Sequence, residues 1–370
     1  MIYLDNAATT PLSQETKDYL ISILDDYGNP SSTHSLGQNA KQIIEDSKKS
    51  VEKFINANSK DIIFTSGGSA SNTLAIRGYI EIHNCTVFYS PLLHKSAMKC
   101  IEDCALLSEE LKVNQHGEID LQDFENRINP LKYRPFVIVE YANSEIGTIQ
   151  DIKEIVHITH KHNGIVYVDC TGSISQIPID VKELNADMIG FSGHKLGALK
   201  GIGVLYKKSN IKLRPLIYGT QEQGLVGGTE NVLGIASLGK AVENYDYSSI
   251  TSKNRDYVYN YIINNIPNSY LVGKPIEENR LPHNLYVCFK FIEGESLMML
   301  LDMNGIEVST GSACSSGSLT PSSTLLAIGM NKEDIHSCIR MTFSGNKTKD
   351  ELDYVCNTLK ECVEKLRNLK

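Results

Sequence analysis

A lysine that directly follows an apolar stretch is the first candidate for chemistry. The segment Phe191-Ser-Gly-His-Lys-Leu-Gly places His194 and Lys195 after a stretch that is typical of a buried strand. An α/β sheet presents groups to ligands at the carboxyl ends of its strands. The lysine amine is the group that forms a Schiff base with a carbonyl cofactor. The alternative is a solvated lysine in a surface loop, because lysine is mostly exposed in proteins.

A carboxylate ends another apolar stretch earlier in the chain. Asp169 is the last residue of Ile165-Val-Tyr-Val-Asp. A carboxylate at this place can pair with a protonated pyridine nitrogen, which makes a pyridoxal cofactor an electron sink. The alternative is that Asp169 caps a helix.

A turn rich in glycine and serine has the composition of an anion site. The segment Thr65-Ser-Gly-Gly-Ser-Ala-Ser-Asn lies between an apolar stretch and a helical pattern. Small residues let backbone N–H groups approach a phosphate, and the helix N-terminus adds its partial positive charge. The alternative is an ordinary capped helix.

One of the nine cysteines lies in a polar segment. Cys314 is surrounded by serine and glycine, whereas Cys100 and Cys356 lie in apolar, periodic surroundings. A nucleophile that travels between two sites is explained by such a loop; the alternative is an incidental exposed thiol. The cysteines are scattered without a CxxC pair, so neither a disulfide framework nor structural zinc is expected. Most of the other thiols are predicted to be small core residues.

The elements that position these groups alternate between strands and helices. Ile152, Ile155, Val156 and Ile158 recur near helical spacing before a stop at Asn163-Gly164, which predicts a βαβ unit. Further helices are predicted near 38–54, 249–264, 295–304 and 349–369. Six short apolar stretches read as buried parallel strands, at 61–65, 86–89, 136–140, 165–169, 187–191 and 203–206.

After about residue 265, the pattern of predicted elements changes to short strands and helices. We therefore predict an α/β protein with two domains. The large domain spans 14–260 and contains a mostly parallel sheet flanked by helices. A smaller α+β domain combines 1–13 with 261–370 and carries a mobile cysteine loop at about 309–323.

Charge and hydropathy exclude some classes of ligand. With 36 Lys and Arg against 44 Asp and Glu, the net charge is −8, and no basic stripe is present, so direct binding of nucleic acid is not expected. No apolar stretch approaches the length of a membrane span, and the first residues, MIYLDNAATT, have no signal-peptide pattern. We expect a cytoplasmic protein.

The motifs, taken in order, resemble the cysteine desulfurases of the NifS/IscS type. These are pyridoxal 5'-phosphate (PLP) enzymes of the class V aminotransferase group with fold type I, and the resemblance covers nearly the whole chain. Many motifs in one order are more specific than any single motif. They are Tyr3-Leu-Asp-Asn-Ala-Ala-Thr-Thr-Pro, Tyr27-Gly-Asn-Pro-Ser-Ser, Phe64-Thr-Ser-Gly-Gly, His94, Asn143-Ser-Glu-Ile-Gly, Val168-Asp, Ser192-Gly-His-Lys, Gly227-Gly-Thr-Glu-Asn, Gly311-Ser-Ala-Cys and Ile339-Arg.

The resemblance implies a cofactor site built around Lys195. Lys195 would form the Schiff base, Asp169 would pair with the pyridine nitrogen, and His94 would stack on the ring and move protons. Thr229 would reach the phosphate from the neighbouring subunit, so an obligate homodimer is implied. The remaining phosphate contacts would come from Gly68, Ser69, Ser192 and His194.

The resemblance also implies the substrate and the fate of its sulfur. Arg340 would bind the carboxylate of L-cysteine, with Asn29 nearby, and Cys314 would take the sulfur as a persulfide. Alanine is the other product. The persulfide then passes to an acceptor, such as an iron–sulfur scaffold or a thiol relay protein. Transient ligation of a cluster by Cys314 is left open, and no other metal site is implied.

The sequence departs from the family pattern at four places. Ser144 and Gly172 stand where asparagine and glutamine are usual, and those side chains normally contact the phenolic oxygen of the cofactor and the substrate region. Ser69-Ala70 replaces Thr-Glu, and Val226 replaces an arginine. Loss of hydrogen bonds to the phenolic oxygen is expected to change the protonation of the cofactor.

Three functions follow from these observations. The first is a cysteine desulfurase that serves one acceptor. The second is another class V lyase, such as a selenocysteine lyase or a β-eliminating lyase, in which Cys314 is dispensable. The third is a catalytically weakened PLP-fold dimer that acts as an interaction or sulfur-carrier module, suggested by Ser144 and Gly172. The third is opposed by an intact set of chemical residues, Lys195, Asp169, His94, Arg340 and Cys314.

Overall fold

A computed structural model describes residues 1–129, 131–310, 321–345 and 347–369. The strands are β1 (Ile2–Tyr3), β2 (Ile62–Thr65), β3 (Cys85–Tyr89), β4 (Ser108–Glu110), β5 (Arg134–Glu140), β6 (Ile165–Asp169), β7 (Met188–Ser192), β8 (Gly203–Lys207), β9 (Ser269–Leu271), β10 (Asn284–Phe289), β11 (Ile306–Glu307) and β12 (Cys338–Thr342). The helices are α1 (Gln14–Ser22), α2 (Ser35–Phe54), α3 (Gly68–Ile80), α4 (Lys95–Cys104), α5 (Leu121–Ile128), α6 (Ile152–Lys161), α7 (Val181–Leu184), α8 (Val232–Glu243), α9 (Lys253–Asn265), α10 (Gly294–Met303), α11 (Ser323–Ala327), α12 (Lys332–Ile335) and α13 (Lys349–Arg367).

A seven-stranded sheet forms the centre of the molecule, in the order β2-β8-β7-β6-β5-β3-β4. Successive strand residues point to opposite faces of the sheet, so each strand contributes side chains to the hydrophobic core on either face. In β5, Val137 and Val139 belong to one hydrophobic cluster, while Phe136 and Ile138 belong to another. The first cluster includes residues of α2, α5, α6 and α8, and the second includes residues of α3 and α4. The predicted sheet flanked by helices is confirmed.

The prediction of parallel strands is wrong for β8. This strand runs antiparallel to both of its neighbours, with Gly203 paired to Ser192 on one side and to Thr65 on the other. The connection between β7 and β8 spans only 193–202. A parallel connection needs a crossover of a dozen or more residues, whereas antiparallel strands accept a short link. This short link contains Lys195.

The predicted βαβ unit is confirmed. Strands β5 and β6 pair in parallel, and α6 connects them. The Asp151 side chain caps the start of α6 by accepting a hydrogen bond from the Glu154 N–H. Asn163 has a φ of 57°, which is the left-handed conformation that ends helices.

The first residues of the chain pack with the C-terminal elements. Strand β1 pairs in parallel with β11, and β9, β10 and β12 form a three-stranded antiparallel sheet. Ile2 and Leu4 lie in one hydrophobic cluster with residues of α9, α10 and α13. This packing brings the segment after β1 to the central sheet. The proposed domain boundaries at 13/14 and 260/261 stay a prediction.

Two further expectations concerned the burial of the cysteines and the lack of a membrane-spanning stretch. Of the eight cysteines in the described ranges, six are buried and two are partly buried, as expected for small core residues. None of the helices in these ranges combines the length and the apolar character needed to cross a membrane.

Candidate active site

Lys195 lies in the tight turn that follows β7. The turn spans Gly193–Leu196, and Gly197 then adopts a φ of 81°, which favours glycine. The lysine side chain is half-buried, so it is not a fully solvated surface lysine. Burial and, to a smaller extent, the charge of Arg340 lower the pKa of Lys195 to about 8, against the opposing effect of Asp169. A larger fraction of this amine is therefore unprotonated near neutral pH than in an ordinary lysine.

Asp169 ends β6, the strand next to β7, and its side chain is only 4% exposed. Its Oδ1 accepts a hydrogen bond from the Thr171 backbone N–H at 2.9 Å. Its Oδ2 accepts one from Asn72 Nδ2 at 3.0 Å. The two bonds fix the orientation of a buried carboxylate next to the lysine turn.

A small cradle lies between the start of α3 and the ends of β6 and β7. A Cβ placed on Gly68 would lie 2.8 Å from Thr171 Oγ1 and 3.5 Å from Ser192 Cβ. The hydroxyls of Thr171 and Ser192 are buried, and neither has a hydrogen-bond partner within the described ranges. Buried hydroxyls are normally satisfied, so these two indicate a ligand. A phosphate at the N-terminus of the 13-residue helix α3 fits both.

His94 caps the N-terminus of α4. Its Nδ1 accepts from the Ser96 N–H at 3.2 Å and lies 2.8 Å from Ser96 Oγ. Loss of hydration lowers the pKa of His94, and the charges of Lys195 and Lys95 lower it further, whereas Asp169 raises it. The ring therefore favours its neutral form in the neighbourhood of Lys195.

Arg340 of β12 approaches the same site from the C-terminal sheet. Its Nη2 lies 2.7 Å from Asp5 Oδ1, and its Nη1 lies 3.4 Å from the Ser144 carbonyl oxygen. Its Nε is buried without a hydrogen-bond partner in the part of the chain that the structure describes. Arg340 thus retains a donor for a carboxylate ligand.

The N-terminal segment covers the lysine turn. The Thr10 N–H donates to the His194 carbonyl oxygen at 3.1 Å, and Thr9 Oγ1 lies 3.2 Å from His194 Nδ1. Burial lowers the pKa of His194 to about 4, with Lys195 and Lys200 contributing. A neutral His194 therefore lies between this segment and the lysine turn.

Ser144 and Gly172, two of the departures from the family pattern, lie side by side. A Cβ placed on Gly172 would lie 3.4 Å from Ser144 Cβ and 2.4 Å from the Ala142 carbonyl oxygen. Any side chain at position 172 therefore requires the backbone near Ala142 to move. Ser144 and Gly172 together change one small region, which also adjoins Arg340 through the Ser144 carbonyl group.

Four predicted site residues are exposed in this chain: Asn29, Ser69, His94 and Thr229. Asn29 accepts a hydrogen bond from the Ser31 N–H at 2.9 Å. Cys314 lies outside the described residues. The sequence reasoning missed Asp5, Thr9, Thr171 and Asn72. Thr171 had a signal, since a hydroxyl residue closely follows the carboxylate that ends a strand.

Comparisons with known proteins match all or most of the chain. The family model described as aminotransferase class-V matches residues 2–355. A protein of Dictyoglomus turgidum named cysteine desulfurase IscS is 37% identical over 385 residues, covering 100% of this chain and 96% of that protein. A solved structure titled NifS-like protein is similar with a TM-score of 0.90 at 28% identity, covering 99% of this chain and 100% of that one. Another, titled SspA in complex with cysteine, has a TM-score of 0.81 at 29% identity and covers 94% of this chain and 100% of that one.

Proposed function

Since the chain belongs to the class V aminotransferase family, we propose that it is a PLP-dependent cysteine desulfurase. It converts L-cysteine to L-alanine and takes the sulfur on Cys314 as a persulfide. Relatives named cysteine desulfurase IscS match the chain over its full length, and one similar structure contains cysteine. The observation in this chain that carries the proposal is Lys195, which follows the strand next to the one that Asp169 ends and whose pKa is lowered by burial and by the charge of Arg340.

The residues of the site fit PLP. The phosphate would lie in the cradle formed by Gly68, Thr171 and Ser192, where two buried hydroxyls lack partners in the described ranges. Asp169 would face the pyridine nitrogen, and Lys195 would hold the cofactor through its amine. PLP supplies a reactive carbonyl and an electron-withdrawing ring when it is bound.

The residues of the chain divide the remaining tasks. The Asp169 carboxylate, fixed by Thr171 and Asn72, would keep a proton on the nitrogen that faces it. Lys195, once released from the cofactor, is a free amine that can take or give a proton near the substrate. Arg340 would bind the substrate carboxylate with the donors that Asp5 leaves free.

Cys314 receives the sulfur. Its thiolate would attack the sulfur of the substrate, a new S–S bond would form as the carbon–sulfur bond breaks, and alanine would leave after its carbon is protonated. The persulfide would then pass to a sulfur-acceptor protein, either an iron–sulfur scaffold or a thiol relay protein.

Two features support the proposed assembly and compartment. Thr229 is exposed in the single chain, which fits a role in a neighbouring subunit's site and hence a homodimer. The eight cysteines in the described ranges are free thiols, which favours a reducing compartment, and we propose the cytoplasm.

The visible absorption spectrum tests the proposal. We expect purified protein supplied with PLP to show a band that changes when L-cysteine is added, with alanine released. Lys195→Ala should remove covalent attachment and turnover, whereas Lys200→Ala, at an exposed lysine five positions away, should keep both. Absence of any PLP band would contradict the enzyme proposal and favour an interaction module. A band without alanine formation would favour another class V lyase, and turnover of selenocysteine by Cys314→Ala would identify a selenocysteine lyase.

A further inference from the structure

Four side chains form a continuous hydrogen-bonded path beside the proposed cofactor site. Asn72 Nδ2 donates to Asp169 Oδ2 at 3.0 Å and to Ser96 Oγ at 3.0 Å. Ser96 Oγ in turn lies 2.8 Å from His94 Nδ1. The path therefore joins the carboxylate at the end of β6 to the histidine at the start of α4, through Asn72 of α3.

The partners of Asn72 settle which way its amide faces. The Tyr167 hydroxyl donates to Asn72 Oδ1, and the Asp169 carboxylate accepts from Nδ2. An ionised carboxylate only accepts hydrogen bonds, so the opposite orientation would place two acceptors together. Both hydrogens of Nδ2 are used, one by Asp169 and one by Ser96. Asn72 is buried, which makes the loss of these bonds costly.

The direction of the next bond follows from this orientation. Because Ser96 Oγ accepts from Asn72, its own hydrogen is available for His94 Nδ1. The Ser96 backbone N–H points at the same nitrogen, at 3.2 Å. His94 Nδ1 thus accepts from two donors and carries no proton. The proton of the neutral ring must then lie on Nε2.

We propose that Asn72 and Ser96 are positioning residues that hold His94 as the neutral tautomer with its proton on Nε2 and link its orientation to that of the Asp169 carboxylate. Protonation at Nδ1 would oppose the Ser96 N–H, so proton exchange by His94 takes place at Nε2. The charged groups that act on the ring are Asp169, which favours the imidazolium, and Lys195 and Lys95, which oppose it.

The tautomer of His94 follows from the contacts of its ring, and only its use in catalysis rests on the proposed function. A histidine that presents an N–H from Nε2 acts as a fixed hydrogen-bond donor. With the acceptor nitrogen already occupied, the ring cannot rotate without losing two bonds. Through the path, a change in Asp169 reaches His94 without direct contact between the two side chains.

The tautomer and the pKa of His94 can be read by NMR on the holoenzyme labelled with ¹³C and ¹⁵N only in histidine. His94→Gln identifies the signal. In the wild type we expect Nε2 to carry the proton at neutral pH. Ser96→Ala removes the side-chain bond to the neutral form and leaves the backbone N–H in place, so the pKa of His94 should rise by roughly 0.5 to 1 unit. Ser96→Thr keeps the hydroxyl and should restore the wild-type signal.

His34 provides an internal control. It also caps a helix, with its Nδ1 accepting from the Gly37 N–H at 3.3 Å, and it lies on a different element. Its signal should not change in the Ser96 variants. A wild-type His94 with its proton on Nδ1, or a Ser96→Ala signal equal to the wild type, would overturn the proposal.

The part played by Asn72 needs its own variants. Asn72→Ala should move the His94 signal in the same direction as Ser96→Ala although Ser96 is intact. If Asn72→Ala does not fold, Asn72→Leu preserves the approximate size of the side chain without adding a charge and cannot donate to Ser96, so it should also raise the pKa of His94. An unchanged His94 signal in the variant that folds would remove Asn72 from the proposal. Because the readout is the ring itself, absence of desulfurase activity would contradict the proposed function and leave this result standing.

Discussion

Asp5 and Arg340 form an ion pair at the edge of the proposed site, with 2.7 Å between Asp5 Oδ1 and Arg340 Nη2. The two residues are 335 positions apart in the chain. Arg340 is buried and Asp5 is half-buried. The guanidinium that we assign to the substrate carboxylate therefore already has a carboxylate partner, which the N-terminal segment supplies.

The Asp5 pair leads to a prediction about substrate affinity. Asp5→Asn keeps an oxygen that accepts from Nη2 but removes the negative charge, so the substrate carboxylate meets a stronger positive field. We expect the KM for L-cysteine to fall by about 2- to 5-fold, which corresponds to a partly screened ion pair. Asp5→Ala also removes the acceptor that holds the guanidinium, and it should raise KM. Steady-state kinetics with both variants test this, and equal KM values for the two would contradict the positioning role.

The lowered pKa of Lys195 leads to a prediction about pH. Burial is the main cause of the value near 8, and the charge of Arg340 is the next. Because Arg340→Gln removes a cause that lowers the pKa, the pKa of Lys195 should rise and less free amine should be present at a given pH. The rate at which apoprotein gains the visible band after addition of PLP should increase through about pH 8 in the wild type and at higher pH in Arg340→Gln.

Asp5→Asn is the control for the direction in which the pKa of Lys195 shifts. Asp5 raises the pKa of Lys195, so loss of its charge should move the midpoint of the pH profile downwards, opposite to Arg340→Gln. If neither variant moves the midpoint, Lys195 is not the group that titrates.

Much of the fold was predictable because its signals are local. The six apolar stretches and the stop at Asn163-Gly164 specify strands and a helix end within a few residues. The direction of β8 was not predictable from its own composition, because a buried antiparallel strand has the same apolar sequence as a parallel one. The length of the connection 193–202 was the available signal, and it favours the antiparallel arrangement that the structure shows.

Site residues were predictable only where a reactive side chain stands at a recognisable place in the sequence. Lys195 and Asp169 stand at strand ends, and a lysine amine or a carboxylate suggests its own reaction. Thr9 and Asn72 carry no such signal, and the sequence does not show that the Asp5 carboxylate pairs with Arg340, because these roles depend on partners brought near by tertiary packing. The Asn72 amide, for example, contacts a carboxylate 97 residues later in the chain.

Cys314 should separate cofactor binding from sulfur transfer. Cys314→Ser replaces the sulfur by a hydroxyl that is far less nucleophilic at neutral pH, so the protein-bound persulfide should disappear while the PLP band stays. Cys104→Ser, at a partly buried thiol at the end of α4, is the matched control and should retain the persulfide. Mass spectrometry of protein treated with L-cysteine measures both. Persulfide yield equal to wild type in Cys314→Ser would assign the nucleophile to another cysteine.

Two glycines at the site should respond differently to one added methyl group. A Cβ on Gly68 meets Thr171 Oγ1 at 2.8 Å, and a threonine side chain can rotate away. Gly68→Ala should therefore fold with a melting temperature close to that of the wild type. The methyl group would occupy the cradle and displace a hydroxyl proposed for the phosphate, so the Kd for PLP should rise by about tenfold, equivalent to the loss of one good hydrogen bond.

Gly172→Ala, in contrast to Gly68→Ala, should clearly lower the stability of the protein. Its Cβ would lie 2.4 Å from the Ala142 carbonyl oxygen, and a backbone atom cannot move without displacing its neighbours. We expect a loss of about 1–3 kcal/mol in the free energy of unfolding, as in other overpacked sites. Thermal or urea unfolding of the two apoproteins, with PLP titrations of each, measures both quantities. If Gly68→Ala is the less stable variant and binds PLP normally, the phosphate does not lie between Gly68, Thr171 and Ser192.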